Sequence, residues 1–405
     1  MKKNRLCRGM ILMVLLVAVL AGCGGGGGGL KDPPSGGLSS LTYGGADAKG
    51  DHIAITIDAS ASTLTFQNYT LGLTRGPYRF SKVADPAQNG GFQNLYRTVS
   101  FFDDPNHYAQ FVIANGAAIL YQVFSDEGSV GTPCFAFYRK DVSNLNVYNE
   151  TAYNWVKFQM DLDAEDGNFE VGLVAFDDDG TWYGAGYDNR MRVDDPYNSE
   201  YKFGVHKSFG DRTIKTSDFH HEPNIVAHQF ENVTAIATHN NDFIFDGGPN
   251  NGAFYAIRQA TTNSWQSTYN GNYFLLCYEN NSNGSEQSIT LMKLVLNGSN
   301  FHISQGETSI SGPLFDVEKC TGGPDGNPLA SLFQEQSGCS NATSNVVKNS
   351  YNCRGSFMGS ADDGSGGSSA IYIVMDPKGQ YLCVTIFKEN NDGTYNYWFG
   401  FGVKG

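Results

Sequence analysis

Apolar and polar residues alternate along most of this chain, and this alternation constrains its fold more than any other feature. Ile53, Ile55 and Ile57 fall on one face of an early segment. Near the end of the chain, residues 395 to 403 place aromatic side chains on one face, and Asn396, Trp398 and two glycines on the other. Because side chains in a β-strand point alternately to opposite faces, this period predicts half-buried strands. An aromatic face backed by glycines is typical of a strand that packs in a sandwich or closes a barrel.

Tight turns separate the alternating segments. Asn115-Gly116 and Asn297-Gly298 each lie between two apolar runs, which is a strong short-range signal for a hairpin. Helix signals are scarce, and the clearest predicts one short helix at Pro328–Phe333. The fold class predicted is therefore all-β, with antiparallel meanders that form two β-sandwich or β-barrel-like units.

A weak internal echo supports two such units. Residues 108–138 and 370–401 both follow the order of apolar strand, glycine turn, apolar strand, acidic turn and aromatic strand. Chance convergence of hairpin chemistry and duplication both explain this echo. We place the boundary near Asn263, which gives a first β-rich domain over residues 39–262 and a second over 263–405, the latter with a cysteine-rich loop.

The first 22 residues have the pattern of an export signal. A basic head precedes an apolar stretch from Gly9 to Leu20, which is too short to span a bilayer. The following Leu20-Ala21-Gly22-Cys23 resembles the lipobox of bacterial lipoprotein precursors. This resemblance, which covers only this segment, implies a signal peptide over residues 1–22, cleavage before Cys23 and acylation of that cysteine. An ordinary secretory signal with a chance cysteine is the alternative.

A flexible tether is expected to follow the lipid anchor. Residues 23–38 contain six consecutive glycines and little apolar surface, which is typical of a coil. In the resembled family, aspartate after the acylated cysteine retains the protein in the inner membrane, so Gly24 at this position implies the outer membrane. The remaining chain also resembles β-rich bacterial surface lipoproteins, because it has a tether and many short strands joined by turns. No motif is shared, so this resemblance assigns no functional residues.

The charge balance excludes one class of partner. The formal net charge is −14, and it falls to −18 when the four basic residues before Cys23 leave with the signal. So negative a chain is unsuited to binding nucleic acid or to electrostatic attraction to anionic lipid. The membrane partner is therefore reached through the lipid anchor.

The cysteine count predicts disulfide bonds. Six cysteines remain after Cys7 is removed and Cys23 is acylated, and an even number in an exported chain indicates pairing. The spacing leaves the pairing pattern open, with at least one bond expected in the stretch that holds Cys320, Cys339 and Cys353. No Cys-x-x-Cys pair is present, which excludes zinc knuckles and thioredoxin-like motifs. The six candidates are Cys134, Cys277, Cys320, Cys339, Cys353 and Cys383.

No resident cofactor is predicted, and calcium is the one metal that the sequence suggests. Asp161 and Asp163 belong to one acidic cluster, and Asp177 and Asp179 belong to a second. The first cluster lacks the glycine at the sixth position and the closing glutamate of an EF-hand loop, and both clusters are better described as hairpin turns, with a calcium site as the alternative. The spacing of His221 and His228 and the intervening proline indicate a loop rather than a zinc helix.

The chemistry-bearing residues therefore favour binding over turnover. No serine stands in a Gly-x-Ser-x-Gly frame, and a carboxylate pair for glycoside hydrolysis leaves no short motif. Four tryptophans are candidates for stacking on sugar rings, although aromatic residues also fill β cores. They are Trp155, Trp182, Trp265 and Trp398. We expect a binding or structural lipoprotein that recognises a glycan or a surface protein. An exported polysaccharide hydrolase with an unidentified carboxylate pair is the alternative.

Overall fold

The structure is a computed structural model, and it describes 21 segments of the chain. These are residues 38–47, 51–84, 94–101, 104–125, 128–139, 145–159, 169–178, 182–188, 202–203, 207–209, 213–216, 226–229, 232–242, 250–262, 264–281, 288–305, 308–316, 345–348, 353–362, 368–389 and 395–405.

The first eight strands form a closed antiparallel barrel, barrel 1, in which each strand pairs with the next and β1 pairs with β8. Its strands are β1 (Leu41–Asp47), β2 (His52–Asp58), β3 (Thr63–Asn68), β4 (Leu73–Lys82), β5 (Leu95–Thr98), β6 (His107–Ala114), β7 (Ala118–Ser125) and β8 (Gly128–Tyr138). The Asn115-Gly116 hairpin joins β6 to β7 as predicted, with Gly116 at φ 75°. The interior of barrel 1 is apolar, and nearly every strand contributes inward-facing side chains to this core.

Two smaller sheets follow in the chain. A six-stranded sheet has the order β12-β11-β10-β9-β17-β16, and a three-stranded sheet has the order β13-β14-β15. The strands are β9 (Thr151–Gln159), β10 (Phe169–Phe176), β11 (Trp182–Asp188), β12 (Lys202–Phe203), β13 (Lys207–Phe209), β14 (Thr213–Thr216), β15 (Val226–Gln229), β16 (Ala235–Asp242) and β17 (Asn250–Arg258). Since β17 pairs with β9, the six-stranded sheet joins strands that are far apart in sequence.

The last eight strands form a second closed antiparallel barrel, barrel 2, which β25 closes by pairing with both β24 and β18. Its strands are β18 (Gly271–Asn281), β19 (Ser288–Leu296), β20 (Asn300–Gln305), β21 (Thr308–Asp316), β22 (Ser356–Asp362), β23 (Ser368–Met375), β24 (Tyr381–Glu389) and β25 (Tyr395–Lys404). Both predicted meanders of the internal echo form the last three strands of a barrel. The boundary proposed near Asn263 falls between β17 and β18.

The prediction of an all-β fold with two β units is confirmed, and both units are barrels rather than sandwiches. In the described segments, helix is confined to two 3₁₀ turns, Leu145–Tyr148 and Ser267–Tyr269, and a four-residue α-helix, α1 (Asn345–Lys348). The predicted helix at Pro328–Phe333 lies outside the described residues. None of the helices in the described segments is long and apolar enough to cross a bilayer.

Aromatic side chains on the outer walls of the two barrels meet the six-stranded sheet. The Phe135 ring of β8 stacks on Phe401 of β25 at 4.5 Å, and Tyr255 of β17 contacts the same Phe401 ring edge-on at 4.4 Å. The Tyr255 hydroxyl donates a hydrogen bond to the carbonyl of Ala46 on β1. One buried core therefore unites three sheets that lie far apart in the sequence.

Candidate functional site

The three tryptophans whose side chains the structure describes, Trp155, Trp265 and Trp398, lie in different parts of the fold. Trp155 is half-buried on β9, and Trp182 begins β11 with a side chain outside the described set. Trp265 packs edge-on against Tyr269 and Phe357 and donates from Nε1 to Asn270, so it serves the core of barrel 2. Trp398 lies on β25 and packs, partly buried, against the interior core of barrel 2. No shared row of stacking platforms exists among the three described side chains.

The disulfide prediction is wrong for three of its cysteines. Cys134, Cys277 and Cys383 are buried free thiols. They lie in three different layers, because Cys134 faces the interior of barrel 1, Cys277 the interior of barrel 2 and Cys383 the shared core outside the barrels. Strand alternation thus keeps their sulfurs apart. Burial raises the pKa of all three thiols, which suppresses the reactive thiolate.

The remaining cysteine candidates are less fully described. Cys353 is buried in the shared core, just before β22. Cys320 and Cys339 lie outside the described residues, as does the lipidation candidate Cys23.

The acidic candidates are described only in part. Asp177 is buried at the end of β10, where its carboxylate accepts a hydrogen bond from the N–H of Asp178. Asp161, Asp163 and Asp179 lie outside the described residues, as does His221, and the side chain of His228 is also outside them. Within the described part of the chain, no group of three or more His, Cys, Asp or Glu side chains could hold a metal ion.

Other described carboxylates fold turns. Asp58 accepts from the backbone N–H groups of Ser60 and Ala61 and from the Ser60 hydroxyl, which lowers its pKa. Asp104 accepts from the N–H of Asn106 and contacts the His107 ring at 2.8 Å, which also lowers its pKa. Both carboxylates therefore have a structural task within hydrogen-bonded turns.

An exposed apolar tip lies at the turn between β3 and β4 of barrel 1. The hairpin tip consists of Tyr69, Leu71 and Leu73, which are 44%, 60% and 37% exposed. Gly72 allows the turn because its φ of 65° is a left-handed conformation that residues with a Cβ rarely adopt. The side chains of the hairpin tip form a small exposed apolar patch.

The hairpin tip is held in place by its neighbours. The Tyr69 ring stacks on His52 at 4.6 Å, and its hydroxyl accepts a hydrogen bond of 2.9 Å from Arg139. The buried Asn68 side chain accepts from the Leu71 N–H at 2.9 Å and donates to Asp51 at 2.8 Å. A turn fixed in this way loses little conformational entropy when a partner binds.

An open cleft of about 580 Å³ continues from the hairpin tip along β4. This arginine cleft is lined by residues 74–79 together with Val99 and Ser100. Arg79 is exposed and Arg75 is half-buried. Val99, which is 72% exposed, donates its backbone N–H to the carbonyl of Arg79 and so lies directly beside it.

The charged residues of strands β4 and β5, at the arginine cleft, are all basic, whereas the whole chain is anionic. Strands β4 and β5 together contain three arginines and one lysine and no acidic residue. The complete sequence, in contrast, has 41 acidic and 27 basic residues. The guanidinium of Arg97 on β5 lies 3.3 Å from the centre of the Tyr108 ring, which fixes another cation on this wall. We call the hairpin tip and the arginine cleft together the docking surface.

Sequence reasoning missed the docking surface, although two signals were present. Residues 73–82 carry three cations and no anion, and leucines flank a glycine turn at Leu71-Gly72-Leu73. Both signals are local, but the position of Val99 beside Arg79 results from pairing between β4 and β5. The net negative charge of the whole sequence drew attention away from this local cluster of basic residues.

Comparisons with known proteins give only distant similarity. No protein-family model matches the sequence, and no curated protein matches it. Among solved structures, transferrin binding protein B from Haemophilus parasuis is 10% identical with a TM-score of 0.29, over 92% of this chain and 76% of that one. The protein of the same name from Neisseria meningitidis is 9% identical with a TM-score of 0.27, over 88% and 65%. A protein of unknown function from Nostoc punctiforme is 10% identical with a TM-score of 0.21, over 65% and 100%.

Proposed function

We propose that this protein is an extracytoplasmic, lipid-anchored binding protein whose docking surface binds an acidic and partly apolar face of a partner protein. The observation that carries the proposal is the cluster of cations beside exposed aliphatic side chains on barrel 1. Arg75 and Arg79 supply planar guanidinium groups suited to carboxylates. Leu71 and Val99 supply aliphatic contacts, which favour a protein partner over a carbohydrate.

Charge mainly raises the rate of association with the partner, and burial of apolar surface mainly lowers the rate of dissociation. A cationic surface on an otherwise anionic molecule orients an acidic partner and repels a basic one. The exposed rings and aliphatics then pack against the partner, with the buried centre of the contact carrying most of the free energy. Association should therefore weaken as added salt screens the arginines.

The binding test uses the mature chain and three sets of immobilised peptides, in which leucine alternates with aspartate, lysine or serine. We expect the aspartate set to bind best, and its affinity to fall at high salt. The double variant R75E/R79E should weaken binding by about tenfold or more. The matched control K293E/K378E, which makes the same charge change on barrel 2, should bind as the wild type does.

A second pair of variants separates a protein partner from an acidic polysaccharide. L71S/V99S should weaken binding to the aspartate–leucine peptides, because it removes aliphatic contacts and leaves every arginine in place. Binding to a sulfated polysaccharide that equals peptide binding and survives L71S/V99S would overturn the proposal. So would equal binding of the aspartate and lysine peptide sets.

The anchor is tested by fractionation. Burial of acyl chains contributes about 0.8 kcal/mol per methylene, so several chains hold a protein on a membrane almost permanently. Cys23→Ala should therefore release the protein in soluble or unprocessed form, whereas the control Cys7→Ala should remain with the membrane fraction. Firm membrane association of Cys23→Ala would contradict lipidation at this cysteine.

A further inference from the structure

The interior of barrel 2 is filled by aromatic rings at one end, and polar residues replace the apolar ones at the other end. Trp265 and Tyr269 pack at the end where β18 begins, and their rings contact Phe357. Apolar side chains such as Leu275 and Val384 fill the middle. Towards the opposite end, the same inward-facing alternation continues into polar residues.

Five of these residues form what we call the polar collar, which consists of Glu279, Ser369, Lys388, Asn396 and Trp398. Each lies two residues beyond an inward-facing position or packs on the barrel core itself. Ser369 precedes Ile371 on β23, and Lys388 follows Ile386 on β24. Glu279 follows Cys277, whose thiol pKa the Glu279 carboxylate helps to raise, as expected for two side chains on one face.

Strand register places the polar collar in one continuous arc. Ser369 lies opposite Lys388, and Lys388 lies opposite Asn396. On the next strand pair, Trp398 lies opposite Glu279. Directly opposed residues in an antiparallel sheet have Cβ atoms about 5 Å apart, so one small molecule can contact several of these side chains.

Two polar atoms in the polar collar are buried without a partner. Among the described residues, neither the Ser369 hydroxyl nor the Trp398 indole N–H makes a hydrogen bond. Ser369 is only 3% exposed. Because buried polar groups are normally satisfied, two unsatisfied groups at one barrel mouth, on β23 and β25 with β24 between them, indicate a site that a ligand completes.

We propose that the polar collar binds one neutral sugar unit. A pyranose ring offers an apolar face for the Trp398 indole and hydroxyl groups that accept or donate hydrogen bonds. The Ser369 hydroxyl and the Trp398 N–H would gain partners, and Asn396 would offer both a donor and an acceptor. Glu279 and Lys388 carry opposite charges, so the collar has no net charge that would select an anionic or cationic ligand. This site lies on barrel 2 and is independent of the docking surface.

The test titrates the full mature protein with neutral methyl glycosides and follows ligand NMR saturation transfer and tryptophan fluorescence. We expect saturable binding of at least one neutral glycoside in the millimolar range or tighter, with the sugar-ring protons closest to the protein. Ser369→Ala should weaken this binding by about tenfold, the value of one hydrogen bond. It should not unfold the protein, because the hydroxyl it removes has no partner in the described structure.

Trp398→Ala should abolish glycoside binding, whereas Trp155→Phe, outside barrel 2, should preserve it. Thermal unfolding of each variant identifies any loss of fold. Absence of binding by every neutral glycoside to folded wild type would overturn the proposal. So would unchanged binding by Ser369→Ala and Trp398→Ala, or a preference for glucuronate, glucosamine or a free amino acid over the neutral sugars.

Discussion

Asp376 is a buried carboxylate in the turn between β23 and β24, and we expect it to make the stability of barrel 2 depend on pH. Its side chain is only 4% exposed and accepts a hydrogen bond of 3.0 Å from the N–H of Gln380. Burial raises its pKa from 3.8 to about 6, and the hydrogen bonds from Gln380 and Lys378 offset only part of that effect. The same carboxylate helps to raise the pKa of the nearby Tyr269 and Tyr273.

The sign of the pH effect follows from proton binding. The folded state holds the Asp376 proton more tightly than the unfolded state does, so its stabilising contribution is complete below pH 3.8 and is lost as pH rises through 6. The free energy of unfolding should fall by about 3 kcal/mol at most across that range. Asp376→Asn should remove this fall and unfold at higher denaturant concentration than wild type at pH 7.5.

Urea unfolding at pH 5 and pH 7.5 measures the difference. Asp58→Asn is the control, because hydrogen bonds lower the pKa of Asp58 and move its titration below this window. Asp58→Asn should keep the wild-type pH slope. An unchanged slope in Asp376→Asn would show that another group titrates there.

Strand β25, which closes barrel 2, has glycine at two consecutive inward-facing positions, Gly400 and Gly402. Gly400 lies opposite Cys277 on β18 and Val384 on β24. A Cβ at Gly400 would come within 2.5 Å of the Cys277 sulfur and 3.1 Å of Val384 Cγ1. The glycine therefore allows neighbouring strands to fill the interior with their own larger side chains.

We expect Gly400→Ala to destabilise the protein by about 1–3 kcal/mol through overpacking, although alanine is usually the better residue in regular structure. Cys277→Ala removes the sulfur that the new methyl would meet. In a double-mutant cycle, the pair should therefore cost less than the sum of the two single variants, with a coupling of about 1 kcal/mol. Strict additivity in chemical denaturation would contradict a direct clash.

At the scale of the whole molecule, Phe401 connects three sheets. Its ring lies 4.5 Å from Phe135 of barrel 1 and 4.4 Å from Tyr255 of the six-stranded sheet, while its own strand closes barrel 2. The Tyr255 hydroxyl, held by the Ala46 carbonyl, ties the same cluster to β1. Such a junction should make the sheets unfold together.

Phe401→Ala should destabilise the junction by about 3–5 kcal/mol and separate the unfolding of the barrels into two calorimetric transitions. Phe80→Ala is the matched control, because Phe80 packs against Tyr96 and Phe111 inside barrel 1 alone. It should lower stability without separating barrel 2 from the junction. A single sharp transition in Phe401→Ala would mean that other contacts couple the barrels.

The sequence by itself determined the local architecture. Alternation and glycine turns act between near neighbours in the chain, so they predicted the strands, the hairpins at Gly116 and Gly298, and a last strand that packs in a sandwich or closes a barrel. The same locality predicted two β units from two similar meanders. Each of these features depends on a period or a turn that a few consecutive residues define.

Only the tertiary structure decided what the faces contact. A period of two shows that Phe401 and Trp398 point to opposite sides, but not that one meets Phe135 and the other lies in a barrel mouth. Pairing of the cysteines was expected from their even number, which carries no information on the layers that hold Cys134, Cys277 and Cys383 apart as free thiols. Pairings such as β9 with β17 join distant segments, and their register depends on packing energies that no local pattern records.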